Sequence, residues 1–111
     1  IVDNLPTDVA RMMGADIIIA VNVAGEYSQY DGANVLLTFS QVVTIQSELL
    51  LQEQIKQADI VVTPQVGKIG IVEIWRSKEC IEHGLKAAQE KVTEIKNVII
   101  NRTFDKMFLG K

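Results

Sequence analysis

The run "DIIIAVNV" (residues 16–23) decides the fold class. β-Branched residues crowd it with hardly any polar alternation, a pattern that predicts a strand covered on both faces, as in a parallel sheet. A second apolar run, "DIVVTP" (59–64), predicts another strand. Pro64 closes it, because proline has no N–H to give to a central ladder. Between the two, residues 33–57 read as one long helix. Strand, helix, strand in that order is a βαβ unit. Its crossover is expected to be right-handed, since a twisted strand and a right-handed helix pack back on the sheet only that way.

The linking helix has an uncommon pattern. Val35, Leu36, Phe39, Val42, Val43, Leu49 and Leu50 make one broad apolar face with Ile45 at its edge, and Leu37, Leu51 and Ile55 fall on the far side. A helix that is apolar nearly all round must be buried or must pack against another chain. "AGEYSQYDGAN" (24–34), ahead of it, is rich in turn residues and reads as a loop.

Outward from this unit, the chain opens on Ile1 and enters an "NLP" turn at once, so a segment upstream of it is expected. Pro6 suits a first helical position, "TDVARMM" makes about two turns, and Gly14 is expected to end them as a left-handed cap. After Pro64, "QVGKIGIVEIW" (65–75) reads as a turn-containing connection with a short strand at 71–74. A second long helix is expected over 77–98. Ile81, Leu85, Ala88, Val92, Ile95 and Ile99 form its apolar stripe, and Lys78, Glu82, Lys86 and Glu90 form a ladder of i,i+4 pairs. Residues 99–111 lack clear periodicity and read as a tail or the start of a following segment, which leaves 1–98 as the domain portion.

At 111 residues with 48% apolar and 23% charged side chains, the chain is one domain or part of one, and its composition argues against disorder. Aromatic residues are 5% of the chain, so a core must be built from Ile, Val and Leu. The net charge of −3 and the isoelectric point near 5.1 argue against a nucleic-acid partner, which requires clustered Lys and Arg. Cys80 is the only cysteine, so no internal disulfide forms. The run "IIIAV" is too short for a membrane span and is bounded by Asp16 and Asn22.

The search for chemistry finds no complete site. Ser28, Ser40, Ser47 and Ser77 all lie outside a G-x-S-x-G elbow, which exposes a nucleophilic serine on a strand-to-helix turn. Cys80 and His83 stand three apart, but a nucleophilic pair needs an orienting third group and a metal site needs further ligands. They read as a half-buried thiol beside a surface histidine. "GKIG" (67–70) reads as a plain turn rather than a phosphate clamp. The loop after the first strand carries Gly25 and Gly32 but not the G-x-G-x-x-G spacing that lets a backbone approach a pyrophosphate. No pair among Asp3, Asp8, Asp16, Asp31 and Asp59 is placed by sequence as an acid/base couple. By its residues alone, the chain is α/β scaffold without an active site of its own.

The opening segment resembles the C-terminal part of bacterial patatin-like phospholipases. That family shows D-G-G or D-G-A, two apolar residues, an x-N-x-P turn, a short "DVAR-x-x-GAD" helix and an apolar strand ending in "AV-[ND]-V". "IV-DNLP-TDVARMMGAD-IIIAVNV" is similar to every element after the glycines, and "QADIVVTPQVGKIG" and "CIEHGLKAAQEKV" look like the later ones. The resemblance spans about residues 1–95 and implies a partial three-layer α/β sheet with flanking helices.

It also implies a serine lipid acyl hydrolase that acts on phospholipid or another lipid ester through a Ser–Asp dyad, without metal or cofactor. Both members of the dyad are expected upstream of Ile1, so the chain alone is expected to be inactive. Carried over by residue, the resemblance leaves Asn4 and Pro6, which would shape the turn behind the aspartate's loop; Asp3 does not match the catalytic position. It further implies that Gly84 lets its helix approach a neighbour closely, and that helix 33–57, once uncovered, drives self-association. The rival expectation is a non-catalytic α/β interaction module docking through that helix. A small nucleotide-binding domain is a third.

Overall fold

The computed structural model describes residues 5–23, 35–70 and 72–110. The chain runs α1 (Thr7–Met12), β1 (Ile19–Val21), α2 (Val35–Lys56), β2 (Ile60–Val62) and α3 (Ser77–Phe104), with a 3₁₀ turn at Ile74–Arg76 and a closing π turn at Asp105–Leu109. β1 and β2 pair in parallel, with Ile19 opposite Ile60 and Val21 opposite Val62. The βαβ order expected from the sequence is therefore present, and the fold is α/β. The loop expected over 24–34 lies outside the described residues.

α1 ends as its sequence predicts. Gly14 takes φ +94°, its N–H donates to Arg11 O at 3.0 Å, and the Ala15 N–H donates to Ala10 O at 3.2 Å. This 5→2 and 6→1 pair satisfies two end carbonyls and needs a residue that tolerates positive φ. The turn sends the chain back as an extended segment. The Asp59 N–H then donates to Ile18 O at 2.9 Å and the Asn22 N–H to Val62 O at 2.8 Å, bracketing the ladder.

The sheet is covered less evenly than its sequence predicts. Side chains opposite each other in a parallel pair share a face, so Ile19, Val21, Ile60 and Val62 project together. Ile60 is 2% exposed, yet Ile19 and Val21 are 45% and 49% exposed. On the other face Ile18 and Ala20 are buried. Both faces are thus covered in part, and one lies open over β1. The reason is packing: α3 lies against β2, and β1 has one ladder partner among the described residues.

Three expectations change. Ile74–Arg76 is a 3₁₀ turn, not part of a strand over 71–74, and Ile71 lies outside the described residues. The second helix does not stop near 98 but continues to Phe104, and the supposed tail is helical to Leu109. Its hold is electrostatic: Arg102 Nη2 lies 3.0 Å from Asp59 Oδ1, and Lys106 Nζ lies 2.9 Å from Asp16 Oδ2. Among the described residues, no ion pair joins Lys78, Glu82, Lys86 and Glu90; the pairs that form lie elsewhere, such as Lys91–Glu94. Exposed ion pairs gain little against side-chain entropy, which is why correct spacing alone does not make them. Gly84 meets nothing within 4 Å of an added Cβ, so no neighbour within the described chain requires its smallness.

Candidate functional site

The entry turn expected to support a catalytic loop begins outside the described residues, where Asn4 lies. Pro6 is described. It stands one position earlier than expected, at the N-cap of α1, with φ −73° and ψ 58°. The Thr7 N–H donates across it to Leu5 O at 2.7 Å, an inverse γ-turn, and Pro6 O accepts the first helical bond from the Ala10 N–H at 3.0 Å. Proline fits here because its ring already sets φ near −65° and its missing N–H is not called for.

A buried residue of α2 grips this turn. Gln54 Oε1 accepts the Leu5 N–H at 3.1 Å, and the Thr7 hydroxyl donates to Gln54 O at 2.8 Å. Thr7 and Gln54 are both buried, where an unmade hydrogen bond is costly. The helix side facing the turn is thus the flank with Leu51 and Gln54, at the margin of the broad apolar face. The sequence signal was available: Gln54 is a polar residue one turn beyond Leu51, beside Val43 and Leu50 in bearing on an otherwise apolar helix.

Asp59 is the second node, and sequence reasoning left it as a strand-edge residue. Its Oδ2 accepts the Ile18 N–H at 2.8 Å and Arg11 Nη2 at 3.0 Å, while Oδ1 meets Arg102 at 3.0 Å. Burial pushes its pKa up, but the Ile18 N–H and the two guanidiniums outweigh that and hold it below the ordinary 3.8. A carboxylate so committed is structural, not a base. Asp16 is likewise held low, first by its hydrogen bond to Lys106.

A cleft of about 380 Å³ opens where β2 ends, between the 63–69 turn and the first turns of α3. Lys68, Arg76, Glu79 and His83 supply its charged and titratable lining. "GKIG" is the plain turn expected, closed by the Ile69 N–H on Val66 O at 2.9 Å. Arg76 forks onto Glu79 at 2.9 and 2.8 Å and reaches Glu73 at 3.3 Å. This pairing raises the Arg76 pKa and lowers that of Glu79. His83 Nε2 stands 3.8 Å from Glu79 Oε1. Among the described residues no serine or cysteine lines the cleft, and its hydroxyl is that of Thr63.

Ser47, Ser77 and Asp8 resolve as structure. Ser47 donates to Val43 O at 2.9 Å within α2, and Ser77 opens α3. Asp8 Oδ1 accepts the Val9 N–H at 2.8 Å. Ser28, Asp3 and Asp31 lie outside the described residues. Among the described residues there is no group of three or more side chains suited to a metal, and no helix is long and apolar enough to cross a membrane. No family model matches the chain, and no solved structure matches it.

Proposed function

We propose that this chain is the non-catalytic C-terminal portion of a patatin-like serine lipid acyl hydrolase, with its Ser–Asp dyad upstream of Ile1. The observation that carries the reading is the grip of Gln54 on the entry turn. An aspartate that activates a serine must be held in register, and a turn fixed by two hydrogen bonds to a long helix is a rigid base for the loop before it. Pro6 stands in that turn, the resemblance assigns Asn4 the same supporting role, and the order of short helix, strand, long helix and strand follows the motif order of the resemblance.

In this reading the sheet is part of a three-layer arrangement. Upstream strands would pair along the open edge of β1, and their layer would cover Ile19 and Val21. The substrate is a phospholipid or other lipid ester, attacked by the upstream serine and stabilised in an oxyanion hole, chemistry that needs no cofactor. The 111-residue chain has no activity of its own.

A second reading, a non-catalytic interaction module, is favoured by one specific observation. On the broad face of α2 the described apolar side chains are exposed, Phe39 at 69% and Leu49 at 64%. The residues encoded ahead of Ile1 separate the two. D-G-G or D-G-A directly before it, with G-x-S-x-G further upstream, supports the hydrolase; the absence of both leaves the module.

A further inference from the structure

We propose that the 111-residue chain forms a two-fold dimer through α2, with the two copies antiparallel and the dyad passing at Gln46. The inference is independent of the hydrolase reading, because it concerns a face that the chain itself leaves open.

The chain exposes 8891 Å² for a mass of 12.3 kDa, against roughly 6,100 Å² for a compact monomer of that mass. A stable interface needs about 800 Å² from each partner, well within that excess. Phe39, Val42, Val43, Leu49 and Leu50 are all exposed on one side of α2, a face centred on Gln46 and flanked by Gln54, while Leu51 and Gln54 are buried against the chain itself. A contiguous apolar strip of this kind marks an association surface.

Charge and spacing then choose the occupant and its direction. The strip is interrupted by Gln46 at its middle and bounded by Glu53 towards its C-terminal end, both exposed. A parallel pair would set Glu53 against Glu53 of the other copy, which is repulsive. An antiparallel pair centred on Gln46 moves the two glutamates about 21 Å apart along the axis. It puts Val42 opposite the other copy's Leu50 and Val43 opposite the other copy's Leu49. The two Gln46 amides meet on the dyad, where each offers both a donor and an acceptor to the other. One polar residue in an apolar seam fixes register in this way. The strip is thus complementary to itself in one orientation, and a second copy of this chain is the partner it fits.

The test uses the full chain in two steps. Sedimentation equilibrium at micromolar concentration is expected to give the mass of two chains. The double variant Val43→Glu, Leu49→Glu is expected to weaken association by roughly 100-fold or more while leaving the circular dichroism unchanged, since both side chains are exposed. In a Cys80→Ser background, Gln46→Cys is expected to oxidise to a linked dimer, and Phe39→Cys, about 21 Å from its own copy across the seam, is not. A single-chain mass for the parent chain, aggregates without a defined mass, or an unchanged mass in the double variant would each overturn the interface. A dimer linked through Phe39→Cys rather than Gln46→Cys would overturn the antiparallel register.

Discussion

Asp59 and Arg102 stand 43 positions apart and meet at 3.0 Å, while the other oxygen of the same carboxylate receives Arg11 and the Ile18 N–H. One side chain therefore joins α1, the start of β1, the start of β2 and the end of α3. Charge-assisted bonds of this kind are the strong ones, although Arg11 and Arg102 remain partly exposed and are screened accordingly.

Replacing Asp59 by Asn should destabilise the chain by about 1–3 kcal/mol at pH 7, read by urea unfolding. The direction of its pH dependence follows from its lowered pKa. The folded form holds the carboxylate more acidic than the unfolded chain does. Its contribution is therefore complete above the unfolded value near 4, and is lost as pH falls through the lower folded value. The wild type should lose stability more steeply than Asp59→Asn below about pH 4.

Truncation after residue 100 should reproduce much of that loss, because it removes both Arg102 and Lys106. Combined with Asp59→Asn, the two effects should add to less than their sum, since they share the Asp59–Arg102 pair. Full additivity in a double-mutant cycle would show that the last turns of α3 are held by something else.

Gly84→Ala should stabilise the chain by about 0.5–1 kcal/mol. The added methyl meets nothing within 4 Å, and alanine loses less backbone entropy in a helix. In a chain extended upstream, where another helix would pack here, the same substitution should be neutral or destabilising. Thermal unfolding of both lengths checks the pair of outcomes.

Gln54→Leu should cost about 1–3 kcal/mol, because it strands the Leu5 N–H beside a buried apolar side chain. Thr7→Val should cost about 1 kcal/mol, through loss of the hydroxyl bond to Gln54 O. Protection of the α1 amides against hydrogen exchange should fall in both variants.

The legible parts of this fold were those written in local chemistry. The β-branched runs at 16–23 and 59–64 named the strands, Gly14 named the end of α1, and the plain turn at 67–70 read correctly. The illegible parts depend on distant partners. The helix over 99–109 is tied down by Asp59 and Asp16, far away in sequence, and its exposed apolar residues follow no burial period. The reach of β1 was overread because a buried-looking run does not say how many neighbours cover it. The periodicity of α2 showed that it is apolar all round, but not that the flank with Leu51 and Gln54 would be the one to pack. Lys78, Glu82, Lys86 and Glu90 had the right spacing for pairs and did not make them. Of the candidate support residues, Pro6 was legible as a helix-entry proline, but its fixation by Gln54 was not.

We propose this chain as scaffold for a serine acyl hydrolase whose reactive groups precede it. Fluorophosphonate labelling, read by intact mass, tests this on the 111-residue chain beside one extended upstream through the whole candidate domain. One added label is expected on the longer chain and none on the shorter. Absence of label on both, with the longer chain folded, would contradict it and leave the docking face of α2 as the functional surface.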